Sequence, residues 1–329
     1  MSVAIVGCGV IGKRRAHAFQ AQGIAWCIDI DIAKARALSA LFPGSQAHTS
    51  IQAALDDSAV TIIAIATLHH ALSELAALSI AQGKHVLIEK PGAISAAQIK
   101  PLIAQAKEKG VVAHVGFNHR YHRAFQKAYA LYQDGAIGEL MYIRARYGHG
   151  GRLGYDQEWR ANPVLSGGGE LIDQGVHLID LARWFLGDFT HIAGQAHTYY
   201  WTMPVDDNVF MHLTTQTGQT AFLHASCTEW KNLFSFEIYG RLGKLDIQGL
   251  GGSYGLERLT YYKMLAQMGP PETCAWEYPM VDNSWEVETA DFLAAIKHQR
   301  PASVSLEDAY AALVVVDQIY KVSSYDYCT

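Results

Sequence analysis

Apolar residues follow two rhythms along this chain, and the rhythm changes near Asn118. Before it, short continuous apolar runs alternate with Ala-rich amphipathic stretches. The runs are "VAIVG", "IAWCIDI", "VTIIAIAT", "KHVLIEKP" and "VVAHVGFN". Each has the length, and lacks the polar face, of a strand buried on both sides. Between them, stretches such as "IAKARALSALF" and "ALSELAALSIAQG" carry helical spacing. The alternation predicts a doubly wound parallel sheet with helices on both faces. Beyond Asn118, polar and apolar residues alternate in Tyr- and Thr-rich segments: "LMYIRARYGHG", "DNVFMHLTTQTGQTAFLHASCTEW", "FSFEIYGRLGKLDIQG" and "ERLTYYK". "TTQTGQTAF" and "YGRLGKLDI" read as hairpins. A large, mostly antiparallel open sheet is expected there, with a helix around His177 on one face. Two helical stretches, near "WEVETADFLAAIKH" and "LEDAYAALVVVDQIYKVSS", complete the pattern. The expected architecture is α/β, with a doubly wound domain at 1–120 and a second α/β domain at 121–329.

Composition narrows the classes. A chain of 329 residues suits two domains. No apolar run reaches the roughly 18 residues of a membrane span. The chain opens straight into strand-like sequence, so no secretory leader is expected. Cys8, Cys27, Cys227, Cys274 and Cys328 are scattered, without metal or disulfide-framework spacing. No metal is expected, and reduced thiols in a cytoplasm are. A net charge of -5 argues against general nucleic-acid binding.

"AIVGCGVIGKRRAHAF" sets Gly7, Gly9 and Gly12 in the GxGxxG spacing, after a predicted strand and at the start of a predicted helix. Glycines there permit a tight turn and close approach of backbone to a pyrophosphate on the helix N-terminus. Gly7, Gly9, Val10, Ile11 and Gly12 are therefore expected at a dinucleotide. Asp29 follows at the end of the next predicted strand, about 20 residues on, where an acidic group meets an adenosine ribose. A carboxylate there accepts from both ribose hydroxyls and repels a 2'-phosphate, which favours NAD over NADP. Lys13, Arg14 and Arg15 leave room for a cation that swings toward such a phosphate.

Two further stretches carry candidate chemistry. "HVLIEKPGAIS" places Glu89, Lys90 and Pro91 at the C-terminal end of a predicted parallel strand, the edge where doubly wound sheets bind ligands. Pro91 restricts Lys90 to an extended conformation. "GGGELIDQGVHLID" puts Glu170, Asp173, His177 and Asp180 on one side of an apparent helix. Leu171, Ile172, Val176, Leu178, Ile179 and Leu181 fall opposite. Read alone, the polar stripe fits a solvated face as well as a site.

These pieces together resemble the glucose-fructose oxidoreductase, inositol dehydrogenase and MocA family of sugar dehydrogenases. The resemblance rests on "GCGVIG", the "EKP" at 89–91, "GFNHRY" at 116–121 and "WRANPVLSGGGELIDQGVHLIDLARWFLG" at 159–187. It implies a Rossmann domain followed by an open-sheet domain that carries the substrate and forms oligomers. It implies that Lys90, Asp173 and His177 meet substrate at the nicotinamide, with Thr67 and Glu89 at the cofactor. It also implies that Gly167, Gly168 and Gly169 let the chain approach substrate or cofactor. Family members often carry a "TPNxxH"-like turn after the fourth strand. Here it reads "TLHHAL", which leaves His69 and His70 as surface or loop histidines.

In this reading His177 removes the hydroxyl proton, Asp173 orients the imidazole or grips a neighbouring hydroxyl, and Lys90 stabilises the alkoxide. NAD takes the hydride. The stretch "RARYGHGGRLGYDQEWR" collects Arg144, Arg146, Tyr147, Arg152, Tyr155, Trp159 and Arg160. Arginine forks there could hold phosphates and an aromatic could stack on a base. Equally, the stretch could be a connector whose arginines pair with Asp156 and Glu158. It looks similar to UDP-N-acetylglucosamine 3-dehydrogenases, with Arg146, Arg152, Tyr155, Trp159 and Arg160 as substrate residues. Inositol, polyol or free-sugar dehydrogenation is the alternative, and a non-catalytic NAD(H)-binding redox sensor is the reading of another class. No nucleic-acid or membrane partner is expected. A homodimer or homotetramer is, formed on the second sheet's uncovered face through residues such as Phe210, Phe222, Phe234, Phe236 and Tyr239.

Overall fold

The computed structural model describes residues 2–267 and 269–325. Cys328 lies outside them. The chain forms two compact units. One holds the chain up to Phe117 together with Trp285–Ala311; the other holds Asn118–Ser284 and the chain from Ala312 onward.

The first unit is a six-stranded parallel sheet: β1 (Ser2–Val6), β2 (Ile24–Ile28), β3 (Gln46–His48), β4 (Val60–Ile65), β5 (His85–Glu89) and β6 (Ala113–Gly116), in the order β3-β2-β1-β4-β5-β6. The apolar runs become strands because both faces of the central ones are covered. Val3, Ile5, Ile62, Ala64 and Leu87 are all fully buried. β3 has no apolar run to announce it. It is a three-residue edge strand, and two of its residues are exposed. Strand order reverses at β1, between β2 and β4, and ligands of such sheets bind at that switch point.

A single division at 120/121 assigned 285–311 to the second domain, whereas these residues pack with the first. The reason lies in the helix Ser284–Lys297. Its Phe292 joins the core formed by Val3, Phe19, Ile62 and Leu87, edge-on to Phe19 at 6.2 Å. An apolar side chain separated by most of the chain completes the first core.

The second unit is an eight-stranded sheet. Its strands are β7 (Leu140–Gly148), β8 (Phe189–His197), β9 (Asn208–Thr215), β10 (Thr220–Ser226), β11 (Leu233–Gly240), β12 (Gly243–Gln248), β13 (Glu257–Lys263) and β14 (Glu272–Tyr278). The order is β14-β13-β12-β11-β7-β10-β9-β8. Every pairing is antiparallel except β7 with β10. Both hairpins form, β9–β10 and β11–β12.

Alternation along the strands separates two faces. Ile143, Ala145, Tyr147, Met211, Leu223, Phe234 and Phe236 point to the covered face and are buried. Helices Arg123–Gln133 and Val176–Leu186 contribute to that cover; Phe125 of the first meets Phe234 and Phe236, and Phe185 of the second meets Phe236. Phe234 and Phe236 therefore belong to the core and not to the open face, where Phe210 and Phe222 are exposed. No helix of the described residues is long and apolar enough to cross a membrane.

Candidate active site

In the first unit, the turn from β1 into the helix Val10–Ala18 is shaped by its glycines. Gly7 has a positive φ of 93°. A Cβ on it would lie 2.4 Å from the Ala66 carbonyl oxygen, and one on Gly12 would lie 1.7 Å from that of Gly7. Around Gly9 a Cβ would meet nothing within 4 Å. The loop is thus pressed against the end of β4 on one side and open on the other. Gly9 caps the helix without a side chain, so nothing of its own bonds the first N–H groups. Val10 is largely exposed, and Thr67 is half-buried directly after Ala66.

Asp29 is held in place by the backbone. Its Oδ2 accepts from the Cys8 amide at 2.7 Å and its Oδ1 from the Asp31 amide at 2.9 Å. A glycine cradle open on one side, an uncapped helix N-terminus and an oriented carboxylate fit a dinucleotide. The Cys8 thiol is pushed up to about 12, first by burial and then by Cys27 and Asp29, so this loop holds no thiolate at neutral pH.

Arg15 is no candidate for a 2'-phosphate. It is fully buried. Its Nε donates to Glu89 Oε1 at 2.6 Å and its Nη1 to Glu288 Oε2 at 2.5 Å. The guanidinium lies over the Trp285 ring, 4.4 Å from its centroid. The Glu89 carboxylate is drawn inward for the same reason. It is buried against Arg15, and burial pushes its pKa up. Directly before Lys90, this carboxylate ties the end of β5 to Arg15. Lys90 itself is half-buried at the end of β5, before Pro91. His69 starts the helix His69–Ala81 and is buried, contrary to a surface role, while His70 is exposed.

In the second unit, the stretch 167–186 has both sides buried. The apolar side packs into the core, and Glu170, Asp173, His177 and Asp180 are buried as well. The solvated-face reading fails. Leu171–Gly175 forms a wide π-helical turn before the α-helix Val176–Leu186, a feature frequent at functional sites. Gly168 and Gly169 ahead of it lie tight against the protein's own chain. A Cβ on Gly169 would lie 1.9 Å from the Asp206 carbonyl oxygen, and one on Gly168 2.2 Å from the Tyr320 hydroxyl. Asp206 accepts from the amides of Gly169 and Leu171 and from the Tyr320 hydroxyl. Burial raises Asp206 to about 7, although those bonds oppose the shift.

Each polar residue of the stripe has a defined partner or neighbour. Asp173 Oδ2 accepts from Arg160 Nε at 2.8 Å. Glu170 Oε1 accepts from the Tyr155 hydroxyl at 2.7 Å and lies 3.5 Å from His149 Nε2. Burial opposes a charge on His149, yet Glu170 outweighs it and raises the pKa. Asp180 takes a two-pronged bond from Arg120. The His177 ring stacks on His119, centroids 3.7 Å apart and planes within 14°. His119 was visible in the sequence only as a letter of "GFNHRY"; no spacing argument connects it to His177.

The arginine-rich stretch is divided by the pleat. Tyr147 faces the core, whereas Arg144 and Arg146 point to the open face, where Arg144 pairs with Glu237. Arg146 cannot share a site with Tyr147. Tyr155 is buried, and the pKa of both tyrosines is raised by burial first, so neither is an exposed platform for a base. Arg152 pairs with Glu158, and Arg160 with Asp173 and Glu158. Trp159 lies against Arg160, 4.6 Å from the guanidinium. The connector reading holds for Glu158.

Replacing Asp29 by Ser or Ala removes the ribose acceptor and the repulsion of a 2'-phosphate. NAD affinity is expected to fall while NADP gains. Titration of both cofactors by fluorescence measures this, and equal wild-type affinity for the two would refute the role of Asp29.

The chain is similar to known proteins along most of its length. Residues 1–117 match the family model described as oxidoreductase family, NAD-binding Rossmann fold. Residues 125–246 match the GFO/IDH/MocA C-terminal domain. Levoglucosan dehydrogenase of Pseudarthrobacter phenanthrenivorans is 25% identical, over 80% of this chain and 78% of its own. The dTDP-3,4-didehydro-2,6-dideoxy-alpha-D-glucose 3-reductase of Streptomyces antibioticus is 30% identical, over 66% of this chain and 65% of its own. GenD2 from gentamicin A biosynthesis, solved in complex with NAD, superposes with a TM-score of 0.84 at 25% identity, covering 98% of this chain and 94% of that one. With both family models matched and both sheets in place, the chain belongs to the GFO/IDH/MocA family and is an NAD-dependent oxidoreductase acting on CH–OH groups.

Proposed function

We propose that this enzyme interconverts a secondary hydroxyl and a ketone on a free sugar or polyol. The observation that carries the reading is the buried acidic pair Glu170 and Asp173 beside His177, with the nearby arginines already neutralised by carboxylates. A sugar hydroxyl can donate to a carboxylate that keeps its arginine, whereas a diphosphate needs arginine donors that are not already taken by carboxylates. Levoglucosan, the sugar named for one relative, carries no phosphate.

His177 is assigned the proton. An imidazole has an ordinary pKa near the working pH and suits both directions of transfer. Asp173, fixed by Arg160, is assigned a neighbouring hydroxyl. Lys90 is assigned the alkoxide, whose developing charge its ammonium stabilises. NAD, when bound, supplies the hydride acceptor. His177→Ala and Lys90→Ala are each expected to lower kcat about 10²–10⁴-fold while NADH binding persists. Steady-state rates and NADH titration check this, and near wild-type turnover in either variant would remove that residue's role.

The dTDP-sugar relative favours a second reading, oxidation at carbon 3 of a nucleotide sugar such as UDP-N-acetylglucosamine. Competition separates the two. In the free-sugar reading UDP competes no better than uridine, and Arg152→Ala leaves turnover of a small polyol unchanged. If UDP competes about tenfold better and Arg152→Ala erases the difference, the nucleotide-sugar reading replaces it.

A second copy of the chain is proposed to cover the open sheet face. Phe210 and Phe222 are exposed there among charges of both signs, with Arg144 and Lys244 beside Glu237 and Asp246. Mixed charges around exposed aromatics suit a two-fold, self-complementary contact. Light scattering at micromolar concentration is expected to give a dimer or tetramer, and a monomer mass would refute this.

A further inference from the structure

We propose that His119 is a positioning residue for His177, fixing the plane of the imidazole from which a proton must be exchanged; this rests on the assignment of His177 as base. The terminal torsion of a histidine is broad, so a buried imidazole keeps one orientation only if its surroundings impose it. The His119 ring lies over the His177 ring at 3.7 Å and 14°. Face-to-face contact at that separation allows the two rings to turn only together. Tyr147 touches His177 edge-on, 6.2 Å between centroids, and sets a side boundary rather than a plane.

His119 is itself immobilised. Three rings meet it edge-on: Tyr147 at 5.3 Å, His122 at 5.6 Å and Phe234 at 6.1 Å. It sits on the one-turn 3-10 helix Asn118–Tyr121. The next residue, Arg120, grips Asp180 with two donors, Nε to Oδ2 at 2.8 Å and Nη2 to Oδ1 at 2.5 Å. Asp180 lies on the helix of His177, about one turn further along. The same helix thus carries the base and the anchor of the turn that holds the base's stacking partner. Gln126 closes the other side, donating to the Arg120 carbonyl at 2.6 Å. The role proposed for residue 119 is carried by the plane of its ring.

The test compares His119→Ala, which removes the plane, with His119→Phe, which keeps it without a titratable nitrogen. Assays use levoglucosan, myo-inositol or UDP-N-acetylglucosamine, whichever the wild type oxidises. NADH titration and thermal melting confirm that each variant is folded. In the Ala variant kcat is expected to fall about tenfold or more, because small misplacements of a reacting group are costly, while KM holds. The Phe variant is expected to restore kcat to within about threefold of wild type, on the same orientation argument. A folded Ala variant with wild-type kcat overturns the proposal. So does a folded Phe variant as slow as Ala, or a loss confined to KM, which would mean that His119 binds substrate. A second readout needs no substrate. In ¹³Cε1-histidine-labelled protein, the His177 signal, identified by its loss in His177→Ala, is expected to move when the His119 ring current is removed. An unmoved signal overturns the stacking geometry. If His177→Ala itself keeps turnover, the base assignment fails; if only the His119 variants behave like wild type, the positioning role alone fails.

Discussion

Arg15 carries a charge into the interior of the first unit, and much of that unit is arranged to accept it. A buried guanidinium is tolerated only when it is paired, and removing a partner from such a pair costs about 3–5 kcal/mol. Two carboxylates answer it, Glu89 at the end of β5 and Glu288 on the helix Ser284–Lys297. Glu288 in turn meets His114 on β6, 3.3 Å away. Gly116 leaves the space, since a Cβ there would lie 2.6 Å from Arg15 Nη2. The residue that begins this network sits on the helix opened by the glycine loop, and the residue that ends one arm of it precedes Lys90. Cofactor loop, lysine turn and returning helix are held by a single buried cation. The same burial removes Arg15 from the surface and leaves Asp29 as the fixed charge bonded to the loop.

The second unit obeys the same constraint with other residues. Buried charges on a helix packed on both sides need partners. Arg120 answers Asp180, Arg160 answers Asp173, and Tyr155 answers Glu170. The arginines that a linear reading offers to a phosphate are therefore largely committed to the protein's own carboxylates. The glycines before the helix serve the same packing, admitting Asp206 and Tyr320 close to the backbone. On the same helix the His177 imidazole is faced by a second ring, His119, and buried with the acids of the stripe.

Both sheets can be read from the chain's pattern of apolar residues. Uninterrupted apolar runs announce strands covered on two faces, and alternation announces strands covered on one, because burial acts on each residue where it stands. The glycine loop with Asp29 and the polar stripe from Glu170 to Asp180 are legible as patterns because local backbone geometry fixes their spacing; what Lys90, Asp173 and His177 do was implied by the resemblance alone. The remaining features depend on contacts between segments far apart in the chain. That 285–311 completes the first unit depends on Phe292 finding a core formed by residues far back in the chain. Whether Glu89 faces inward depends on Arg15 and Glu288, and whether Arg146 shares a face with Tyr147 depends on which side of the sheet is covered. His119 carries no local signal, since it reaches His177 only after its turn is clamped to Asp180. Periodicity records which residues want burial. Which partner each buried charge or ring meets is set by contacts between distant segments, and only the folded chain contains them.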